Sequence, residues 1–228
     1  MLLFSTRRGG VSRAPYDTLN LGRSSDDDAA AVSANRDRLL TAAGLDPTRL
    51  ATAGQVHGAR VVEVTAAGHH AGCDALLTRT PGLVLAVTTA DCMALLFHAP
   101  GAVAAVHSGW RGTADAMPVT ALAAVCRLAG CAPDAVRVAI GPAIRGCCYE
   151  VGEDVAARFP AAAVRRVEGR PRLDLPTAAR LALELAGILP EHFHDTGACT
   201  YCEPALYFSH RRDRGLTGRH WGVAALSE

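Results

Sequence analysis

The chain contains no lysine; all 23 of its basic residues are arginine. That absence excludes Schiff-base chemistry, a lysine nucleophile and the lysine of a phosphate-binding P-loop, each of which needs a titratable or point-charge amine. An excess of charge is also lacking, with 23 basic residues against 22 acidic ones and a pI near 7.7. Without a basic surplus there is no electrostatic footprint for a phosphate backbone, so no nucleic-acid partner is expected. Aromatic residues make up only 5% of the chain, which leaves Ala, Val and Leu to build the core. The opening segment puts Arg7 and Arg8 close behind the apolar Met1-Leu2-Leu3-Phe4, which is neither a secretory signal nor long enough for a membrane span. The expectation is a cytoplasmic protein away from membranes, with reduced thiols and no protein partner inferable.

Cysteine, by contrast, is plentiful, with eight residues. In a reducing compartment each is a small buried hydrophobe, a metal ligand or a nucleophile, and each has to be argued separately. Cys126 falls on the apolar face of an expected helix and reads as core. Cys199-Thr200-Tyr201-Cys202 is a lone CxxC, which makes a zinc clip only if a second ligand pair lies near. Adjacent Cys147 and Cys148 are poorly suited to share a small tetrahedral site.

No repeat or low-complexity linker interrupts the chain, so residues 1–228 read as one continuous domain. A short strand is expected at Leu2–Ser5, and a helix at Ala29–Ala43 ended by Gly44. Strands are expected at Arg60–Val64, Leu83–Thr88, Ala94–His98 and Val103–Val106, the last three forming a consecutive buried set. A glycine turn at Gly109–Gly112 leads to a helix at Asp115–Ala129. A strand at Val136–Ile140, helices at Gly152–Phe159 and Thr177–Ala186, and a strand-rich tail from Phe193 to Leu226 complete the reading. Strands and helices mix without regular βαβ alternation, which favours an α+β domain with mixed sheets over a doubly wound fold.

Three residues stand in loops or at the ends of these strands. They are His57 in Gln55-Val56-His57-Gly58, Cys92 in Thr89-Ala90-Asp91-Cys92, and His107 in Val106-His107-Ser108-Gly109-Trp110-Arg111-Gly112. Cys92 and His107 suit neighbouring strands whose ends meet at one sheet edge. Two imidazoles and a thiolate make a zinc set with a free fourth position. The same atoms also make a nucleophile–base dyad of Cys92 and His107. His57 favours the metal, since a dyad does not need it. Asp91 is placed as the carboxylate that orients an imidazole N–H.

These runs, together with Ser5-Thr6-Arg7-Arg8-Gly9-Gly10-Val11-Ser12, Leu19-Asn20-Leu21-Gly22, Ile140-Gly141-Pro142, Phe208-Ser209-His210-Arg211-Arg212-Asp213 and Thr217-Gly218-Arg219, resemble the YfiH/YlmD family in family order. That family carries an older laccase-domain or polyphenol oxidase label, and its members are described as zinc-dependent purine nucleoside phosphorylases that also deaminate adenosine. Ser108 stands where the family usually has Ala, and His210 where an aromatic is usual. The resemblance implies a layered α/β/β/α single domain, similar to the catalytic domain of cytotoxic necrotizing factor, in which a Cys–His pair acts as a hydrolase. It implies zinc on His57, Cys92 and His107, with copper possible, and purine nucleosides (adenosine, inosine, methylthioadenosine) and phosphate as partners. The alternatives are a Cys–His amidase that edits peptidoglycan precursors and a copper-dependent polyphenol oxidase. A multicopper centre calls for repeated His-x-His pairs, and only His192-Phe193-His194 fits that pattern. For phosphorolysis without lysine, the candidate phosphate holders are Arg7, Arg8, Arg111, Arg211, Arg212 and Arg219. Of these Arg111, Arg8 and Arg212, together with Gln55, are the expected substrate and phosphate contacts, with Cys92, His107 and Asp91 catalytic.

Overall fold

A computed structural model describes residues 1–227. Short apolar strands assemble into two stacked mixed sheets. The first runs β1 (Leu2–Phe4), β13 (His220–Ala225), β6 (Val84–Thr89), β2 (Leu50–Ala53) and β4 (Gly68–His70). The second runs β12 (Phe193–Asp195), β9 (Arg137–Ile140), β7 (Met93–Ala99), β8 (Ala102–Ser108), β5 (Ala75–Thr78) and β3 (Val61–Glu63). A separate hairpin pairs β10 (Val164–Val167) with β11 (Arg170–Leu173). The helices are α1 (Ala29–Ala42), α2 (Trp110–Ala114), α3 (Met117–Ala129), α4 (Glu153–Ala156) and α5 (Leu175–Leu185).

The period-two side-chain alternation of the central strands sorts their residues between two apolar layers. On β7, Met93, Leu95 and Phe97 pack with Met117, Leu122 and Val125 of α3 and Leu183 of α5, while Ala94 and Leu96 meet Leu85 and Val87 of β6. The opposite face of the first sheet, Val84, Ala86, Trp221 and Val223, packs with Leu40 of α1. The layers are therefore α, β, β, α, a mixed α+β architecture. Leu83–Thr88 reads as an unbroken apolar run because β6 is covered on both faces. The scarcity of aromatics suits a thin inter-sheet layer: a Cβ on Gly222 would come within 2.5 Å of Ala94 Cβ.

The principal strands fall close to expectation, and Gly44 closes α1 with a left-handed φ of +70°. Three readings need correction. The glycine turn before the expected Asp115–Ala129 helix is itself α2, and α3 restarts at Met117 with Pro118 in its first turn, where a missing N–H costs no helical hydrogen bond. The Gly152–Phe159 helix shortens to α4, which the pre-proline position of Phe159 favours. The tail carries only β12 and β13, and residues 196–219 between them form turns held by side-chain hydrogen bonds. Strands β2, β4, β5, β10 and β11, each of three or four residues, fall outside the expected set.

The chain crosses from the first sheet to the second at one end of the sandwich. Residues 54–60 connect β2 to β3, and residues 90–92 connect β6 to β7. These crossings carry His57 and Cys92.

One buried group ties the tail to the first sheet. His220, at the start of β13, accepts the Phe208 N–H on Nε2 at 2.7 Å. Burial, with the Arg7, Arg212 and Arg219 guanidiniums around it, pushes its pKa down to about 3. An unfolded histidine takes up a proton near ~6.5, so the unfolded chain gains protons that the native ring refuses, and stability falls as pH drops from about 6.5 toward 3. Urea unfolding across that range should show a weaker pH dependence for His220→Gln than for the unsubstituted protein; parallel curves would refute the assignment.

Candidate active site and metal centre

Antiparallel pairing of β7 with β8 sets Ala94 opposite His107 and Met93 opposite Ser108, so Cys92 and His107 arrive at the same sheet end. The 54–60 crossing brings in His57, whose backbone has a left-handed φ of +62°. The ligand atoms of His57, Cys92 and His107 all lie within 4.8 Å of one another. The two imidazoles meet edge to face with centroids 4.9 Å apart. Gly109 is required here, since a Cβ would lie 2.9 Å from Cys92 Sγ and 3.6 Å from His57 Cδ2.

A carboxylate that the sequence reading missed organises the three. Asp74 is fully buried, and its Oδ1 lies 2.8 Å from His107 Nδ1 and accepts the His57 N–H at 2.9 Å. Its Oδ2 accepts the N–H groups of Val56 at 3.0 Å and Gly58 at 2.9 Å. Engaging Nδ1 with Asp74 leaves Nε2 of His107 as the nitrogen that serves Cys92 or a metal. The only sequence signal was an aspartate inside an otherwise apolar stretch, directly after Cys73. Burial raises the Asp74 pKa, but His107 and the loop N–H groups outweigh it and hold the carboxyl below its ordinary range.

The same balance governs the thiol and its partner. Burial favours neutral Cys92, yet hydrogen bonding and charge from His107 and then His57 bring its pKa down to about 6. Burial likewise opposes a charged His107, and Asp74 with Cys92 overcomes it, raising that pKa to about 9. The pair is built to present a thiolate donor.

Asp91 requires correction as the imidazole's orienting group. Its Oδ1 accepts the Thr200 hydroxyl at 2.6 Å and its Oδ2 accepts the Arg211 N–H at 2.6 Å, so it fastens the tail segment beside Cys92 while Asp74 orients the ring. Gln55 lines the site, but its amide is committed to the Thr88 main chain, donating to O at 2.6 Å and accepting from N at 2.8 Å.

A cavity of about 460 Å³ opens over the cluster, a volume typical of small-ligand sites. The arginines that line it are Arg23, Arg36, Arg211 and Arg219. Of the arginine candidates from the sequence, Arg211 and Arg219 line this cavity, whereas Arg111, Arg8 and Arg212, the three singled out, lie elsewhere. Arg111 is exposed with its guanidinium 4.5 Å from the Trp110 ring centroid, and Arg8 donates to Ala205 O at 3.0 Å. Arg212 spends its fork on Asp213 and on the carbonyls of Thr200 and Tyr207. Spacing could not distinguish these from the lining arginines, because α1 and the tail meet only in the folded chain. His210 also lines the cavity.

Zinc's preference for N and S donors fits this set of two imidazoles and a thiolate held by a buried carboxylate. Cu(I) is also compatible with it.

Comparison with known proteins places the chain among close relatives. The family model described as multi-copper polyphenol oxidoreductase laccase matches residues 1–227. A protein of Deinococcus radiodurans named purine nucleoside phosphorylase is 44% identical, covering 98% of this chain and 88% of its own. Purine nucleoside phosphorylase YlmD of Geobacillus stearothermophilus is 38% identical, covering 94% of this chain and 86% of its own. Among solved structures, YlmD from Geobacillus stearothermophilus superposes with a TM-score of 0.95 at 37% identity, covering 100% of this chain and 92% of that one. The Bacillus licheniformis hypothetical protein YfiH also gives 0.95, at 34% identity, covering 99% and 92%.

Asp74→Asn should lower zinc affinity about 10–100-fold, the usual cost of losing a ligand's orienting partner. Chelator competition measures it, with circular dichroism to confirm the fold; unchanged affinity would remove Asp74 from this role.

Proposed function

Because the chain belongs to the YfiH/YlmD family matched by the multi-copper polyphenol oxidoreductase laccase model, we propose that it is a zinc-dependent purine nucleoside phosphorylase. Its substrates are adenosine, inosine and methylthioadenosine with phosphate, and adenosine deamination is a side activity of the same site. The observation that carries this reading is the convergence of His57, Cys92 and His107 on a cavity also lined by Arg36 and Arg219. His57, Cys92 and His107 would hold the zinc, which would supply a Lewis acid at the cavity floor.

The protein's own groups do the rest. Arg36 is buried, anchored through Nε on Leu21 O at 2.9 Å and stacked 4.7 Å from the Trp221 ring centroid. Burial, then the neighbouring charge of Arg23, lowers its pKa to about 10, so it remains a cation at neutral pH. Arg219 is fixed by donation from NH1 to Thr217 O at 2.7 Å and Gly218 O at 3.0 Å. Fixed guanidiniums on a cavity wall form an anion site without lysine, and they hold phosphate in bidentate fashion with little ordering cost. His107, polarised by Asp74, keeps Cys92 as thiolate. Asp91 holds the Thr200 and Arg211 segments against the cavity, which limits water at the reacting sugar carbon.

Two observations order the alternatives. Among the described residues, the one metal-capable group that contains histidine has only two of them, whereas a multicopper oxidase centre needs several. The depressed pKa of Cys92 beside His107 suits the amidase reading, but a dyad has no use for His57.

Metal-replete protein incubated with each nucleoside should release free base only when phosphate is present. Release without phosphate, or none with any of the three, would overturn the reading. His57→Ala should lose both zinc and base release, by at least about 100-fold in kcat/KM; full activity there would favour the dyad. Arg219→Ala should raise the phosphate KM roughly 10-fold or more, the cost of one charged hydrogen bond, with a smaller effect on the nucleoside KM.

A further inference from the structure

We propose that Cys147, Cys148, Cys199 and Cys202 form a second metal site, a tetrathiolate that binds one structural zinc ion. The four Sγ atoms lie within 4.8 Å of one another. Cys147 Sγ is 3.4 Å from Cys199 Sγ and 3.6 Å from Cys202 Sγ, and Cys148 Sγ is 3.2 Å from Cys202 Sγ. A tetrahedral zinc with Zn–S near 2.3 Å spaces its sulfurs at about 3.8 Å, so small side-chain adjustments close the site. All four are free thiols.

Adjacent cysteines are poorly suited to share such a site, and a local feature of the backbone offsets this here. Cys147 and Cys148 lie in a tight turn in which the N–H groups of Cys148, at 2.8 Å, and Tyr149, at 2.9 Å, both return to Arg145 O. In an extended strand consecutive side chains point to opposite faces, whereas a helix-like turn separates them by about 100° and lets both reach one centre. The lone CxxC thereby acquires the second pair it needs. The two segments are already joined by the Ala143–Cys199 bridge and by donation from Thr200 N to Ala143 O at 3.1 Å.

The surroundings suit a thiolate cluster. The main-chain N–H groups of Arg145 and Cys202 face Cys199 Sγ. Arg172 NH1 donates to Cys147 O, and Arg165 Nε donates to Gly146 O at 2.7 Å. Two acids lie nearby: Glu203 is occupied through Oε1 with the Cys199 N–H at 3.1 Å, and Glu150, which lines the same depression as Cys147 and Cys148, is paired with Arg170 at 3.2 Å. Binding one zinc ion displaces four thiol protons to solvent and leaves a dianionic centre facing these arginines and N–H groups.

The site lies apart from His57, Cys92 and His107, yet it is coupled to their surroundings. Thr200, between Cys199 and Cys202, holds Asp91 Oδ1, and Ile144, just ahead of the cysteine pair, donates its N–H to Asp91 O at 2.9 Å. Tyr149 and Arg211 line both the catalytic cavity and the neighbouring depression that contains Cys147 and Cys148. A metal here clips together the two segments that wall the catalytic cavity.

The test is metal stoichiometry and spectroscopy on the full chain purified under reducing conditions, with no activity readout, so it stands even if the phosphorylase reading fails. Zinc-replete protein should contain two zinc ions per chain by elemental analysis. His57→Ala/His107→Ala should retain one, and its cobalt-exchanged form should show the intense sulfur-to-cobalt charge transfer of a tetrathiolate. Cys147→Ser/Cys202→Ser should retain one, with the weaker thiolate signature of a single sulfur. No metal in the histidine double variant, or Cys147–Cys199 or Cys148–Cys202 disulfides in the reduced preparation, would each overturn the proposal, whereas a single zinc in the parent protein that persists in the histidine double variant and is lost in Cys147→Ser/Cys202→Ser would support it and count against metal at His57, Cys92 and His107. Because the histidine variant leaves all four thiols intact, a folding failure of the serine variant does not remove the test.

Discussion

The Asp74 carboxylate is the constraint around which the active-site end of this molecule is arranged. One oxygen shares its bonding between the His107 ring and the His57 main chain, and the other receives the N–H groups on either side of His57. A buried carboxylate is costly unless its lone pairs are filled, and here the partners that fill them are the loop and ring that must meet Cys92. The conformation of the 54–60 crossing and the orientation of the His107 imidazole therefore depend on the same carboxylate. The left-handed φ of His57 is held by the same contacts, since local strain persists where the surroundings over-determine it.

The position of this end follows from the two-sheet stack. Both connections that carry donors pass from one sheet to the other, and the β7–β8 register brings their partner to the same edge. Ala and Gly between the sheets keep the layers close, so a chain poor in aromatics still closes its core. Without lysine, the cations on the cavity wall are guanidiniums, and Arg36 and Arg219 are immobilised by carbonyls and the Trp221 ring rather than by carboxylates that would neutralise them.

Much of the site was legible in sequence. His57, Cys92 and His107 each end or flank a segment of clear strand character, and their donor types suffice to suggest zinc. Asp74 was not legible, because an aspartate after Cys73 and before an apolar strand gives no sign that three N–H groups and an imidazole will surround it. Asp91 was misplaced for the converse reason: adjacency to Cys92 suggested the ring, but its left-handed φ turns the carboxylate toward Thr200 and Arg211. Arg8, Arg111 and Arg212 belong to conspicuous motifs, yet their guanidiniums are taken up by carbonyls, the Trp110 ring and Asp213.

By itself the sequence determined the chemical inventory: arginine as the basic residue, a His2Cys donor set on strand-flanking loops, and apolar runs that require burial on both faces. These properties are local, carried by residue type and short-range periodicity. Tertiary structure alone decided which carboxylate holds the imidazole, which arginines face the cavity, and that two pairs of cysteines some fifty residues apart converge on one point. Each of those depends on contacts between distant segments, whose register is set by sheet pairing and loop turns that no short window of sequence contains.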